Sequence, residues 1–387
     1  MKTWRLITDD GASASGGLAT DESLMRRYAT GDPPPPTLRL YTYADHAALV
    51  GRFQDPRAEL RLDVCRAEGI AVNRRPTGGG AILMGEQQLG VALVTSLRDP
   101  NTPAHARAII DTFGRGVLLG LKRLGIPAEI RGKNDIAVDG RKIAGLGIYV
   151  DANDGVLFHA SVLAGLDIDL MLRILNIPAA KLGGQAADAV RQRITTVTAE
   201  RGRACSTEDL RLCVEAGFED AFGIRVRPEP LDPAELAAAR DVEAQRYGRD
   251  DWIYGRAAET PEGTAILKTP GGLLRIALTL GGDAIKDALI AGDFMARERA
   301  VAEIEAALKW AAADKGRVGE AVETGWSRGG GLDGVAPGDL TEAVWAAVID
   351  ARARRGMTTG SCYYPPAPDE GSGDPTTSTR EEAPAWQ

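Results

Sequence analysis

"NRRPTGGGAILM", residues 73 to 84, sets two guanidinium groups, Arg74 and Arg75, beside three consecutive glycines, Gly78 to Gly80. Glycines without a Cβ let peptide N–H groups come close to an anion, and a neighbouring arginine can hold a phosphate or carboxylate through two parallel hydrogen bonds. The spacing suggests a phosphate cradle. It is not a Walker A loop, because no Gly-Lys-Ser/Thr follows, and it lacks the Gly-x-Gly-x-x-Gly of a dinucleotide fold. Taken alone, it is equally a glycine-rich turn between strands. A second stretch, "GKNDIAVDGRKIAG" at 132 to 145, places Asn134 and Asp135 at the start of one strand and Lys142 at the start of its hairpin partner. A carboxylate, an amide and a lysine near an anion loop suit Mg²⁺, adenine or ribose, and a reacting carboxylate. By itself this segment also reads as an exposed hairpin with an ordinary Asp-Gly turn.

The rest of the chain bounds the chemistry. With 387 residues, 44% of them hydrophobic, it is long enough for two or three domains with a real core. The net charge of −8 argues against a general nucleic-acid surface, so any anion site must be local. Cys65, Cys205, Cys213 and Cys362 show no Cys-x-x-Cys spacing, and His46, His105 and His159 are scattered, which argues against zinc or a disulfide scaffold. No apolar leader and no membrane-length run is present, so a reducing cytoplasm is the expected location.

These residues need elements to position them. The first thirty residues are expected to supply a helix around Thr20 to Tyr28, and Pro33 to Pro36 a stiff connector to a strand pattern from Leu38 to Val50. Ile109, Ile110, Phe113, Val117, Leu121 and Leu124 recur at helical spacing and predict an amphipathic helix packed on a sheet. Asp-Gly turns at 139 and 154 separate β-rich runs and predict a three-stranded meander. Asp167 is placed to cap a short helix to Leu175, and Ser206 with Asp209 to start another through Phe222. After the proline-punctuated 225 to 233, "LLRIALTLGGDAIKDALIAGDF" reads as a strand pair backed by a helix over 296 to 311, a small α+β module. From Pro365 the composition predicts a disordered tail.

Together "LVGRFQDP" (49 to 56), "NRRPTGGGAI", "GKNDIAVDGRKIAG" and "LFHASVLAGLD" (157 to 167) resemble, in order and spacing, the motifs of the lipoate-protein ligase family within the biotin/lipoate ligase superfamily. "GLATDESLM" (17 to 25) resembles its N-terminal helix, and "DWIYG" (251 to 255) with the later strand pair its accessory domain. The resemblance implies an α+β fold: a class II biotin/lipoate ligase-like catalytic domain, with a mixed or antiparallel sheet and flanking helices, over 1–230. A small α+β accessory domain over 231–311 follows, then an extension over 312–364 and a tail over 365–387. It implies ATP-dependent activation of lipoate to lipoyl-AMP and transfer to a carrier lysine, with Mg²⁺.

By that resemblance Lys142 is catalytic, bridging the acyl carbonyl and the α-phosphate. Arg75, Thr77, Gly78, Gly79 and Gly80 line the adenylate, and Asn134 and Asp135 hold nucleotide or metal, Asp135 being the metal ligand. Lys133 stands where the family has arginine, keeping the charge without the planar fork. Arg52 and Gln54 match a motif near the lipoyl pocket or its covering loop; on spacing alone they are a strand end and turn. His159 matches a family histidine, and a lone strand histidine is also an ordinary structural group. Implied carriers are lipoyl domains of 2-oxoacid dehydrogenases, the glycine-cleavage H protein or an H-like lipoate carrier.

The family's usual His-Asp pair after the glycines is replaced by Met84-Gly85, followed by Glu86-Gln87-Gln88. Competing readings are an octanoyl- or lipoyltransferase with a cysteine nucleophile and no ATP, and a non-catalytic binder of acyl carriers. Neither cysteine position nor motif places a thiol beside the lysine hairpin.

Overall fold

Strand β1 (Lys2–Ala12) opens the chain, a segment the sequence reading did not anticipate as a strand. It sends Trp4 and Leu6 to one side and Ile7 to the other, and its parallel partners are remote in sequence: β2 (Thr37–Tyr43) and β11 (Ile224–Pro228). The computed structural model describes residues 2–28, 34–176, 186–256 and 260–359. The proline connector in part, Cys362 and the expected tail lie outside them. Around β1 runs an eight-stranded mixed sheet in the order β11-β1-β2-β6-β10-β9-β8-β7, with β6 Gln88–Ser96, β7 Glu129–Arg131, β8 Asp135–Val138, β9 Arg141–Val150 and β10 Gly155–Leu163. From β2 through β7 the pairing is antiparallel, and β8 to β10 are the expected meander. Its turns place Asp139 and Asp154 at positive φ, the backbone an Asp-Gly turn requires.

Both faces of the sheet are covered, which is why β2 and β6 are buried along their whole length. On one face, alternate residues Leu38, Leu40, Leu89, Val91 and Leu93 pack against Phe113 and Val117 of α2 (Ala106–Arg123) and Val214 and Phe218 of α3 (Thr207–Phe222). These two helices approach closely because a Cβ at Gly217 would lie 2.3 Å from the Gly116 carbonyl oxygen. Ser206 caps α3 by accepting from the Asp209 N–H, and Asp167 caps Ile168–Ile174 in the same way. On the other face, Tyr41, Tyr43 and Leu157 meet Leu18, Leu24 and Met25 of α1 (Ala14–Arg26). A small sheet of β3 (Ala47–Val50), β4 (Ala71–Arg74) and β5 (Ile82–Met84), in the order β4-β3-β5, carries the glycine-rich loop between β4 and β5.

The second core lies under β12 (Gly263–Thr269), β13 (Gly272–Gly281) and β14 (Ala284–Gly292). Helices α4 (Glu298–Leu308), α5 (Lys315–Gly329) and α6 (Pro337–Thr359) all contribute to it. Val318, Val322, Val344, Ala347 and Val348 are buried among Leu274, Ile276 and Ile304, so the residues after 312 that were expected to form a separate extension belong to the accessory core as far as they are described. Helix Pro233–Val242 and the turns after it behave the other way: Val242 and Tyr247 pack with α1. The accessory layer therefore begins in space only after Tyr254, later than the expected boundary at 230. Proline punctuation marked a chain turn there, whereas packing decides which core each helix joins.

Candidate active site

The face of the sheet under α1 opens into a cleft with about 660 Å³ of empty space, its open mouth included. Its walls combine Leu18, Tyr41, Tyr43, Leu49, Ile82 and Met84 with Arg75, Thr77, Gly80, Asn134, Lys142, His159 and Ser161. The floor is made by glycines. Gly145 and Gly147 of β9 pair with Ser161 and His159 of β10, and a side chain on either would intrude: a Cβ at Gly145 would stand 3.0 Å from Lys142 Nζ, and one at Gly147 3.1 Å from Thr77 Oγ1.

A one-residue irregularity in the β8–β9 hairpin puts Lys142 on this floor. Ile136 pairs with Ala144 but Ala137 with Lys142, leaving Ile143 as the extra residue. Ile143 and Ala144 therefore both enter the core, while Lys142 and Gly145 share the cleft side. The Lys142 backbone is held by 193 to 195, its N–H donating to the Arg193 carbonyl (2.7 Å) and its carbonyl accepting from Thr195 (2.8 Å). Its Nζ lies 2.7 Å from Asp135 Oδ1. Asn134 is fixed by its Nδ2 donating to the Leu146 carbonyl (2.9 Å) and lines the cleft.

Arg75 lines the cleft and is also engaged with the loop itself. Its buried guanidinium donates to Thr77 Oγ1 (3.1 Å) and to the carbonyls of Leu49 (2.9 Å), Gly78 (3.0 Å) and Gly80 (2.7 Å). It is the strut that shapes the glycine loop. Gly79 sits at φ +98°, and Gly51 packs so close that a Cβ there would fall 2.0 Å from the Gly79 carbonyl oxygen. Arg74, fully buried, donates to the carbonyls of Gly51, Arg52, Gln54, Trp252 and Ile253. Burial pulls Arg75 down to about 10. Burial, with Arg52 and Arg256 nearby, pulls Arg74 down to about 9. Both remain cations at neutral pH, each satisfied by peptide dipoles rather than by a carboxylate.

The other expected site residues divide. Gln54 Oε1 accepts from the Gly51 N–H (2.9 Å) inside the turn, and Arg52 pairs with Glu298 and stacks 4.5 Å from the Trp252 ring. Lys133 Nζ donates to the carbonyls of Gly271 (2.6 Å) and Asp293 (2.9 Å), reaching the accessory layer. Gly78 is pressed on the same layer: a Cβ would stand 2.6 Å from the Phe294 carbonyl oxygen. These residues border the loop from outside the cleft. His159 does line it, with Nε2 2.8 Å from Asp21 Oδ2.

Asp21 and Arg39 were missed from sequence. Both are fully buried, with Asp21 Oδ1 accepting from Arg39 Nη1 at 2.8 Å and Arg39 Nη2 reaching Asp9 at 2.5 Å. Burial pushes the Asp21 carboxyl up, but Arg39 and the His159 hydrogen bond outweigh it and hold it below the usual carboxylate range. A charged residue in the all-buried pattern of β2 was the one available signal. Of the three described cysteines, Cys65 is buried in a separate cluster beside Leu60 and Ile70, and Cys205 and Cys213 lie at the start of α3 and within it. None lines the cleft. Among the described residues no group of three or more metal-binding side chains occurs, and no helix is long and apolar enough to cross a membrane.

The lipoyl protein ligase A/B catalytic domain model matches residues 14–219, more than half the chain. The octanoyltransferase LipM of Brevibacillus brevis is 26% identical over 279 residues, covering 66% of this chain and 100% of that protein. Among solved structures, the bipartite lipoate protein ligase of Thermoplasma acidophilum, described with its E2 lipoyl domain, aligns with a TM-score of 0.59 at 26% identity, over 67% of this chain and 99% of its own. A lipoate-protein ligase A bound with ATP gives 0.57 at 27% identity, over 66% and 99%. LipL1 of P. falciparum, in complex with lipoate, gives 0.67 over 89% of this chain and 98% of its own, a likeness of fold at 16% identity. Six strands of the mixed sheet, the glycine loop between β4 and β5 and the lysine hairpin thus lie inside the matched span, and this chain belongs to the lipoyl protein ligase A/B catalytic domain family, an enzyme family of lipoate ligases and transferases.

Proposed function

We propose that this protein is an ATP-dependent lipoate–protein ligase, which converts lipoate and ATP to lipoyl-AMP and pyrophosphate and then transfers the lipoyl group to a carrier lysine. The observation that carries this reading is the cleft itself: an ammonium group, Lys142, stands on a glycine floor between an apolar slot and a glycine loop, with no described thiol on the walls. A carboxylate attacking a phosphate ester brings two anions together, and fixed cations and peptide dipoles offset their repulsion. Lys142 is positioned to hold the acyl oxygen and the α-phosphate as charge develops. The carbonyls of Gly78 and Gly80 accept from Arg75, so the N–H groups of those planar peptides point the opposite way, and the Gly80 end of the loop borders the cleft, where we propose the phosphate binds. Thr77 and Asn134 border the same space. The apolar walls suit the hydrocarbon chain of lipoate.

Asp135 is the carboxylate paired with the cleft lysine, and with no group of three or more metal-binding side chains among the described residues, it fits Mg²⁺ held mainly by substrate phosphates rather than a protein cage. The ion would offset phosphate charge there, and Lys142 would exchange its Asp135 partner for substrate oxygens. The carriers we propose are lipoyl domains of 2-oxoacid dehydrogenases, the glycine-cleavage H protein or an H-like carrier; the Thermoplasma ligase with its E2 lipoyl domain supports this class.

The LipM relatives favour a second reading, acyl transfer without ATP. That chemistry needs a thiol nucleophile at the cleft. Lipoate-dependent exchange of pyrophosphate into ATP separates the two, because a thiol transferase forms no adenylate. Incubation with ATP, lipoate or octanoate and candidate carriers, followed by intact-mass measurement, then identifies acyl group and carrier. Absence of exchange together with ATP-independent acyl transfer overturns the ligase reading.

A further inference from the structure

Resting on that reading, we infer that His159 is the base that deprotonates the incoming carrier lysine, and that Asp21 and Arg39 are the residues that position it. An acyl-adenylate is attacked by an amine, yet a carrier lysine arrives mostly as an ammonium with its electron pair occupied by a proton. The aminolysis half of the reaction therefore needs an acceptor that the adenylation half does not. Asp135 is paired with Lys142 here and, on the reading above, turns to the metal ion once Lys142 moves onto substrate, and Lys142 is itself a cation.

His159 has the geometry for this task. It alternates with Ser161 on the cleft side of β10, two residues along one strand, so its Cα lies about 7 Å from that of Ser161. Ser161 pairs with Gly145, over which Lys142 Nζ stands. The imidazole is thus one strand step from the ammonium that holds the acyl carbonyl. Its Nε2 faces Asp21, and Arg39 and the His159 hydrogen bond hold that buried carboxyl below the usual carboxylate range, so it is an anion that accepts the Nε2 hydrogen bond. Nδ1 then carries the lone pair on a ring that borders the cleft.

The support behind His159 is costly for a merely structural group. Arg39 is wholly buried, its Nε has no partner among the described residues, and it is held by Asp21, Asp9 and the Gly17 carbonyl with Tyr41 4.1 Å beneath it. Apolar residues of similar volume usually serve stability as well as such a network does. In this chain the network ends on the imidazole.

In the step, the carrier ammonium gives one proton to Nδ1, and the freed electron pair forms the C–N bond. The C–O bond to the adenylate phosphate breaks with its electrons leaving on AMP. The second nitrogen proton goes to water, as does the imidazolium proton after product leaves. Asp21 stabilises the transient imidazolium without taking the proton.

The test uses synthetic lipoyl-AMP bound to the full-length protein, in single turnover, with either a lipoyl-domain carrier or hydroxylamine as acceptor. Hydroxylamine is already unprotonated at neutral pH and needs no base. In His159→Gln, where the amide still donates to Asp21, the ratio of carrier to hydroxylamine rates should fall about a hundredfold or more. Asp21→Asn should lower the same ratio in the same direction. An unchanged ratio in folded His159→Gln protein overturns the inference, because a structural role would slow both acceptors together. Supplying the adenylate keeps this result independent of whether the protein makes it from ATP.

Discussion

Lys142 Nζ and Asp135 Oδ1 meet at 2.7 Å although their backbones are not directly paired, because the extra residue Ile143 turns the lysine toward the cleft. Both side chains are more than a third exposed, at 34% and 42%, so the pair contributes about 1 kcal/mol or less to stability. On the proposed reaction, its value lies in holding an ammonium ready for exchange onto substrate oxygens.

Lys142→Ala should therefore fold with an almost unchanged melting temperature and form lipoyl-AMP about a hundredfold or more slowly. Rapid-quench measurement of the adenylate beside a thermal melt checks this. Normal adenylate formation would remove Lys142 from the chemistry.

The glycine loop gives a paired expectation. Gly79→Val places a β-branched residue at φ +98° and should harm both half-reactions. Arg75→Lys cannot reproduce four donations to Thr77, Leu49, Gly78 and Gly80, and leaving buried acceptors unpaired should cost about 1–3 kcal/mol. Its loss of lipoyl-AMP affinity should accompany loss of stability, since Arg75 shapes the loop. Weakened affinity at an unchanged melting temperature would instead favour direct phosphate contact.

Replacement of Cys65, Cys205 and Cys213 by alanine should leave ATP-dependent transfer within a few fold of the parent, Cys65→Ala costing some stability because the residue is buried. Mass spectrometry of the protein incubated with acyl donors provides the check. An acyl thioester on any of them, or on Cys362, would support the transferase reading.

Acid should weaken the fold through Asp21 and Glu22. Both are held below their ordinary values, 3.8 and 4.5, despite burial, by Arg39 and His159 in one case and by Arg246 and Tyr247 in the other. A depressed carboxyl stabilises fully above its unfolded value and loses that contribution as pH falls through the folded one. The urea midpoint should thus decline from about pH 5 downward, and Asp21→Asn should start about 3–5 kcal/mol lower at pH 7 and decline less steeply. Parallel acid profiles for the two proteins would show that Asp21 is not the group responsible.

Local chemistry was legible in the sequence. The Asp-Gly turns at 139 and 154, the caps at Asp167 and Ser206 and the apolar spacing of α2 are decided by residues a few positions apart. So was the association of Arg75, Gly80, Asn134 and Lys142 around one cleft, because their order along the chain carries the family pattern. Tertiary structure decided what each does there. Whether a guanidinium faces a ligand or a loop carbonyl depends on where β3 and the loop fold back, and Arg75 and Lys133 both turned to peptide oxygens. The parallel pairing of β1 with β11 joins residues more than two hundred positions apart, beyond any local signal. Asp21 and Arg39 looked like ordinary polar residues of a helix and a strand. Only packing of α1 across the sheet removed their water, and burial made each require the other.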